Sequence, residues 1–308
     1  MELNGVGIVE LHYRKKNQLS QLQVCEGICD LMTISRIETG KREFDSLISQ
    51  TLLERLGKTS NRFEFLLNDE DYYYYILREN IATAVNDGKL EEAKAYIAEY
   101  REDMPTDHEL HKQFLLYYEA LIMKAEKCSE KEITACLYRA IDLTRGDFRE
   151  PTLQRRLYSG MEIKIIYELL LYENYAYETL ESAFRFIDEM YDAEVKQKVL
   201  MPFLYHFAQR YMKNKNWYEL EKVTAKAIRL LQGGRIYLYL LEIHFMKMTA
   251  EYHLYQNAED WAERRRELIK RCNNIYYVSM ALENYEMMEK AEEFCREKLE
   301  CQITMQEI

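Results

Sequence analysis

The chain has 308 residues, and its 42 Lys and Arg against 53 Asp and Glu give a formal net charge of −11. With only 10 Gly and 3 Pro, the sequence excludes turn-rich β-architectures and predicts an all-α fold. No apolar run reaches the roughly 18 residues that a membrane-spanning helix needs, and the N-terminus lacks a signal-peptide pattern, so we expect a cytoplasmic protein.

The acidic charge is unevenly distributed along the chain. Residues 1–60 contain 8 Lys and Arg and 8 Asp and Glu, whereas the remaining residues contain 34 and 45 and carry the whole net charge. A neutral N-terminal region on an acidic body is compatible with DNA binding if its basic side chains share one face. Such a region predicts modest affinity and strong salt dependence.

Four short helices are predicted in the N-terminal region, over residues 7–16, 20–26, 31–38 and 44–56. Ser20 has the chemistry of a helix N-cap, because its hydroxyl can accept a hydrogen bond from a first-turn amide. Gly40 is placed to end the third helix, since glycine tolerates positive φ at little cost. The second and third helices together predict a helix-turn-helix.

This helix-turn-helix predicts a set of DNA contacts. Arg36 is suited to a guanine edge in the major groove, and Thr33, one turn away, to a thymine methyl or a phosphate. The alternative is that Arg36 is a solvated surface residue. The predicted DNA-binding residues are Gln21, Thr33, Arg36, Lys41 and Arg42. Arg14 and Glu38 are predicted to form a structural ion pair between the first and third helices.

A repeat follows from about residue 70 onward. When the second helices of successive hairpins are aligned, an inward-facing position recurs at Ala93, Cys136, Leu180, Leu220 and Trp261, and seven residues after each stand Tyr100, Leu143, Ile187, Ala227 and Leu268. The segment 207–227 resembles the tetratricopeptide (TPR) pattern. Because one hairpin of two short helices cannot bury its apolar face alone, such hairpins must stack.

These patterns predict an N-terminal helix-turn-helix domain followed by an α-solenoid of about five TPR-like hairpins. The predicted bounds are a DNA-binding domain at 1–57, a linker at 58–70, a helical-repeat sensor and dimerisation domain at 71–302, and a tail at 303–308. A final helix over about residues 279–301 is predicted to cap the array.

The N-terminal residues resemble the Xre/Cro-like helix-turn-helix family. The match covers about residues 8–56 and rests on Arg14, Leu19-Ser20-Gln21, Ile28, Ile34-Ser35-Arg36-Ile37-Glu38 and Gly40. Two features depart from the family pattern: the turn between the second and third helices is short, and Leu31 and Met32 stand where the family often has polar base readers.

The combination of this domain with a TPR-like array resembles the peptide-pheromone-sensing Rgg/PlcR-like (RRNPP) regulators of Gram-positive bacteria. The resemblance implies quorum sensing by a homodimer that binds promoter DNA and holds a short signalling peptide in the concave groove of the array. The resemblance offers Asn80 as a candidate counterpart of the asparagines with which the family holds its peptides. Five tyrosines are predicted on the first helices of the hairpins, which line the inner face of such an array. They add apolar area and hydroxyl donors suited to an extended peptide, and they are Tyr205, Tyr211, Tyr237, Tyr239 and Tyr252.

Two rival interpretations remain open at the level of sequence. The first is a TPR-type protein–protein interaction scaffold whose N-terminal domain does not read DNA, which the neutral charge of that domain and the apolar Leu31 and Met32 favour. The second is a DNA-binding regulator that needs no ligand. No nucleotide-binding, nucleophile-elbow or HExxH motif occurs, so we expect neither an enzyme nor a cofactor or metal.

Overall fold

The computed structural model describes residues 5–41, 46–58, 69–104, 109–150, 155–232, 237 and 239–303. Within these ranges the chain forms fifteen α-helices and no strand, which confirms the predicted all-α fold. None of the helices in the described part of the chain is long and apolar enough to cross a membrane. The chain divides into two compact units, Met1–Tyr191 and Asp192–Ile308. The predicted domain bounds stay a prediction, and most of the predicted linker, residues 59–68, lies outside the described residues.

The first unit begins with four short helices, α1 to α4: Gly5–Lys16, Gln21–Cys25, Leu31–Glu38 and Ser46–Arg55. The predicted N-cap at Ser20 is confirmed, since its Oγ accepts from the Gln23 amide at 3.2 Å while the Gln23 side chain accepts from the Ser20 amide at 2.8 Å. The predicted stop at Gly40 is also confirmed by its φ of +67° after α3.

The backbones of α1 and α3 pass very close to one another. A Cβ atom added to Gly7 would lie 2.1 Å from the carbonyl oxygen of Ile37, so no larger residue fits at this crossing. Val24, Ile34 and Leu52 are fully buried beneath the crossing, one each from α2, α3 and α4. A glycine contact and a small apolar core therefore fix the helix-turn-helix geometry.

The remainder of the first unit is built from α5 to α10: Asp69–Asn86, Leu90–Asp103, Glu109–Ala125, Glu130–Arg145, Gly160–Tyr172 and Glu181–Met190. α5 packs against α6, α7 against α8, and α8 against α9. A 3-10 turn, Tyr177–Leu180, precedes α10. Ser129 and Ser159 form capping boxes at the starts of α8 and α9, so the sequence itself marks where these helices begin.

The second unit consists of α11 to α15: Ala193–Lys213, Trp217–Gln232, Leu240–Tyr255, Trp261–Ala281 and Tyr285–Lys298. Each helix packs against the next one along the chain. The predicted bounds of the capping helix were wrong at the start, because α14 continues to Ala281 and Asn284 caps α15. Met287, Phe294 and Leu299 pack into one core with residues of α13 and α14, so α15 covers the end of this unit.

The predicted repeat positions lie mainly in the interior. Eight of the ten are buried, namely Ala93, Tyr100, Cys136, Leu180, Ile187, Leu220, Ala227 and Leu268. Leu143 and Trp261 are partly exposed. A spacing of seven residues returns to nearly the same side of a helix after two turns, which explains why both members of a pair face inward.

Candidate functional site

The outer face of α3 is the part of the helix-turn-helix available to a ligand. Its exposed or partly exposed residues are Leu31, Met32, Ser35 and Arg36, and Thr39 follows at the C-cap. Its buried residues are Thr33, Ile34, Ile37 and Glu38. At 3.6 residues per turn these two sets occupy opposite sides of the helix. Arg36 and Met32 are one turn apart and therefore lie side by side on the outer face.

The structure brings only part of the predicted DNA-binding set onto this outer face. Arg36 and Lys41 are exposed, whereas Thr33 is buried and its amide donates to the Asp30 side chain at 2.5 Å. Thr33 therefore does not share an exposed face with Arg36, because it lies on the side of α3 that packs into the domain. Arg42 lies outside the described residues.

Glu38 is the centre of a hydrogen-bond network inside the helix-turn-helix. Arg14 donates to both carboxylate oxygens, to Oε2 over 2.7 Å, and also to the carbonyl of Leu19 at 2.9 Å. The side-chain amide of Gln21 donates to the same Oε2 at 2.8 Å. The side chain of Gln21 is thus engaged in holding α2 to α3, and its predicted phosphate contact stays a prediction. Through this network α1, α2 and α3 are joined at one carboxylate.

A second carboxyl group, that of Glu10, lies next to this network without hydrogen bonds. Glu10 is fully buried, and neither of its oxygens has a hydrogen-bond partner in the described structure. Burial, and then repulsion from Glu38, raise the pKa of Glu10 to about 8, with Arg14 acting in the opposite direction. Glu10 is therefore mostly protonated at neutral pH.

The helix-turn-helix is attached to the hairpins of the first unit by a fully buried ion pair. Nη2 of Arg55 in α4 lies 2.7 Å from Oε1 of Glu162 in α9. Nη1 of Arg55 donates to the carbonyl of Val24 at 3.1 Å and to that of Glu26. Burial raises the pKa of Glu162, but the Arg55 and Arg145 guanidiniums outweigh this effect and hold the pKa below its usual range. Glu162 is therefore ionised. Burial lowers the pKa of Arg55, and the Glu162 carboxylate acts in the opposite direction.

Contacts around this ion pair bring the backbone of the helix-turn-helix against α8 and α10. A Cβ atom at Gly27, in the turn before α3, would lie 2.4 Å from the carbonyl oxygen of Thr144. One at Gly57 would lie 2.1 Å from that of Met190. Arg145 also donates to the Glu26 carboxylate at 2.9 Å. The helix-turn-helix therefore packs directly on α8, α9 and α10.

The second unit contains a cavity of about 450 Å³ between α12, α13 and α14. Apolar side chains form most of its wall, namely Ile228, Leu240, Leu241, Ile275 and Val278. The polar side chains that line it are His244, Lys247, Arg271 and Asn274. Burial and the neighbouring cations Arg271 and Lys247 lower the pKa of His244, so its imidazole is neutral at pH 7. Such a lining is suited to an apolar ligand that carries a carboxylate or carbonyl group.

None of the predicted peptide-binding residues lines this cavity. Tyr205 and Tyr239 stack on each other with ring centroids 4.0 Å apart, and Tyr252 packs edge-on against Trp261 and Phe294.

Tyr211 stacks against Phe207 with ring centroids 6.1 Å apart, and Tyr237 is exposed. Tyr237 and Tyr239 were expected on the first helix of the hairpin but lie before it, since α13 begins at Leu240. Asn80 is partly exposed on α5 of the first unit.

Sequence reasoning missed His244, Lys247, Arg271 and Asn274. Each stands at an ordinary polar position of a helix, so no local signal marks it. Among the residues that the structure describes, no group of three or more His, Cys, Asp or Glu side chains is arranged to hold a metal ion.

No protein-family model matches this chain. No curated protein matches it either. Several solved structures are similar in fold. ComR from S. thermophilus, in complex with DNA and its signalling peptide ComS, is 17% identical, with 93% of this chain and 97% of that chain covered and a TM-score of 0.42.

A variant of the SHP pheromone receptor Rgg2 from Streptococcus dysgalactiae is 15% identical, covers 95% of this chain and 99% of its own, and has a TM-score of 0.45. The PrgX/cCF10 complex is 18% identical, with 93% and 92% covered and a TM-score of 0.35. All three belong to the peptide-pheromone-sensing group that the sequence resembles.

Proposed function

We propose that this chain is a cytoplasmic, homodimeric transcriptional regulator and not an enzyme. Its helix-turn-helix binds promoter DNA, and a short signalling peptide bound by the helical array controls that binding. The observation that carries the proposal is the outer face of α3, where Arg36 and Met32 project from a helix whose opposite face is fixed by Glu38. A recognition helix needs this combination of an exposed reading face and a rigid base.

Exposed cations of the helix-turn-helix support contact with phosphates. Lys41 follows α3, and Lys15 and Lys16 end α1, all three exposed. Arg14 and Arg55 are unavailable to DNA, because they are engaged in buried or partly buried pairs. Few free cations predict binding that is weak outside the specific site.

The cavity between α12, α13 and α14 is the proposed site for the side chain of a peptide. Its volume of about 450 Å³ is sufficient for one or two apolar side chains. Arg271 and Asn274 stand where they can bind a carboxylate or a main-chain carbonyl of such a ligand. The resemblance of the sequence to peptide-sensing regulators supports a peptide as the ligand class.

A DNA-selection experiment tests the DNA-binding part of the proposal. Purified full-length protein is incubated with a random duplex library at about 0.1 M salt, where phosphate contacts are only partly screened. We expect enrichment of a palindrome with half-sites about one helical turn apart. Arg36→Ala is expected to lose this enrichment. If neither protein enriches any sequence, the proposal of a DNA reader is wrong.

A binding measurement with a peptide library tests the ligand site. Val278→Arg places a charged side chain in the cavity, and Met280→Arg is its matched control. Both positions are exposed on α14, but only Val278 lines the cavity. We expect peptides captured by the wild-type protein to be lost from Val278→Arg and retained by Met280→Arg. Equal capture by both variants would exclude this cavity as the peptide site.

The scaffold interpretation keeps one observation in its favour. Leu22, Leu31 and Met32 are exposed on α2 and α3, an apolar surface of the kind that also occurs at protein interfaces. The selection experiment discriminates between the two functions, because a scaffold without DNA-reading ability would enrich no sequence.

A further inference from the structure

The apolar character of the exposed face of α3 requires an explanation if that face enters DNA. Leu31 is 49% exposed and Met32 is 62% exposed. Neither side chain is needed for the core, which α3 reaches through Ile34 and Ile37, both fully buried. Exposed apolar side chains of this size favour a partner that covers them with apolar surface.

The position of these two residues on α3 indicates where such a partner would lie. Both belong to the first turn of the helix, directly after the N-cap Asp30. The N-terminal residues of a recognition helix are those that approach base edges in the major groove. Arg36 lies one turn from Met32 on the same face, and Lys41 is exposed beyond the end of the helix, so both cations lie on the C-terminal side of the apolar pair.

The major groove presents one apolar group to proteins, the C5-methyl of thymine. Polar side chains read bases by hydrogen bonds, which Leu and Met cannot make to base edges. Thr33, the residue that the sequence offered for a thymine methyl, is buried on the other side of the helix. The only apolar side chains in the first turn of α3 that face outward are those of Leu31 and Met32.

We propose that Leu31 and Met32 read the C5-methyl groups of thymines in the major groove, so that this regulator selects thymine at defined positions of each half-site. The inference rests on the proposed function, because it assumes that α3 enters duplex DNA. Arg36 is then the neighbouring polar reader, and Lys41 contacts the phosphate backbone. A protein partner for the same face is the competing outcome, but it would leave Arg36 and Lys41 without an assigned role.

The experiment removes the methyl groups one at a time without changing any hydrogen-bonding group. A duplex selected by the full-length protein is resynthesised with uracil in place of each thymine of the half-sites, because uracil lacks only the C5-methyl. Binding is measured for the wild type, Leu31→Ala and Met32→Ala. Alanine is a strong helix former, so α3 is expected to persist in both variants. Val9→Ala, which changes an exposed apolar residue of α1, is the matched control.

We expect uracil to weaken wild-type binding about fourfold at each contacted thymine, as the loss of one buried methyl group predicts. Leu31→Ala and Met32→Ala should each abolish the effect of uracil at one thymine position and leave it unchanged at the others. Val9→Ala should respond to uracil like the wild type.

Three results would overturn the inference. If uracil has no effect at any position, DNA binding stands but methyl reading does not. If uracil weakens the wild type and both variants equally, the methyl groups act through DNA shape and not through these side chains. If no duplex is selected at all, the proposed function fails and the inference fails with it.

Discussion

Glu38 shows how a single side chain can fix the geometry of α3 from its buried side. The carboxylate accepts hydrogen bonds from Arg14 and from Gln21, and so joins α3 to α1 and α2. Its neighbour Ile37 is fully buried, while Arg36, one residue further back, is exposed. The outward direction of Arg36 therefore depends on contacts made on the buried side of α3.

Replacing Glu38 with Ala is expected to destabilise the protein by about 3 kcal/mol, because the largely buried Arg14 guanidinium would lose its partner. Hydrogen exchange of the amides of α1 to α3 is the appropriate measurement, since it reports on this region separately. Glu102→Ala, at an exposed position of α6, should change stability by less than about 0.5 kcal/mol. Unchanged protection in Glu38→Ala would contradict a structural role for the pair.

Glu10 predicts a pH dependence of stability with a definite sign. Its pKa in the folded protein is raised from 4.5 to about 8, so the folded state binds the proton more tightly than the unfolded state. The contribution of Glu10 to the free energy of unfolding is therefore greatest below pH 4.5, and it is lost as the pH rises through 8. The upper bound on this loss is about 5 kcal/mol.

The variant Glu10→Leu should remove this part of the pH dependence. We expect its free energy of unfolding, relative to that of the wild type, to increase between pH 5 and pH 8. Denaturant titrations at several pH values measure this difference, with Glu102→Ala as a control for general effects of removing an acid. A difference that stays constant with pH would show that Glu10 does not titrate in this range.

The residues of the helix-turn-helix could be placed from sequence only where a local rule applied. The N-cap at Ser20 and the stop at Gly40 follow from backbone chemistry, and both were predicted. The side of α3 on which Thr33 lies was not predicted, because tertiary packing decides the direction of a polar residue within a short helix. The spacing of Thr33 and Arg36 is compatible with a shared face, yet the boundary of the buried side falls between them.

At the scale of elements, the attachment of α4 to α9 is the contact that sequence reasoning did not foresee. Arg55 and Glu162 are separated by 107 residues. Glu162 belongs to the capping box that begins α9, but that motif does not indicate a partner in α4. The buried pair fixes the helix-turn-helix to the hairpins of the first unit. A conformational change in α8 or α9 would therefore move the helix-turn-helix with it.

A double-mutant cycle tests this attachment. Arg55→Met alone should destabilise the first unit by about 3 to 5 kcal/mol, since it removes the cation that is hydrogen-bonded to the buried Glu162 carboxylate. Adding Glu162→Leu should restore part of this loss, because no uncompensated charge remains. Hydrogen exchange of the amides of α2, α4 and α9 in the full-length variants reports their unfolding and measures both effects.

The exposed pair Lys198–Glu194 of α11 provides the comparison for this cycle. Its two side chains are largely in solvent, so breaking it should cost less than about 1 kcal/mol. Equal costs for the two pairs would indicate that Arg55 and Glu162 are not buried together in solution.

Two glycines with nearly the same φ permit a test of the close approach between the helix-turn-helix and α10. Gly57 has a φ of +72° and its added Cβ would clash with the Met190 carbonyl, whereas Gly88 has a φ of +73° and open space around it. Gly88→Ala should cost about 1 kcal/mol through its backbone conformation alone. Gly57→Ala should cost about 2 kcal/mol more, because the neighbouring backbone must also move.

Thermal or denaturant unfolding of both glycine variants gives this difference directly. Similar stabilities of Gly57→Ala and Gly88→Ala would mean that the backbone of residue 57 does not lie against α10.

For the whole molecule, the helical composition and the repeat were sufficient to predict the class of fold. The spacing of Leu220 and Ala227 predicted an inward face because two turns of helix separate them, and both are buried. The cavity in the second unit was not predictable in the same way. His244, Arg271 and Asn274 come together through the packing of α13 and α14, and the sequence gives no measure of that distance.

A titration of a selected duplex against a scrambled one at 50 and 200 mM salt tests whether the outer face of α3 reads DNA. Arg36→Ala is expected to lose about 10- to 100-fold in affinity for the selected duplex and little for the scrambled one. Lys41→Ala should weaken binding to both duplexes alike. It should also lower the salt dependence of binding by the amount expected for about one phosphate contact. If Arg36→Ala distinguishes the two duplexes as well as the wild type does, α3 does not read DNA through this face.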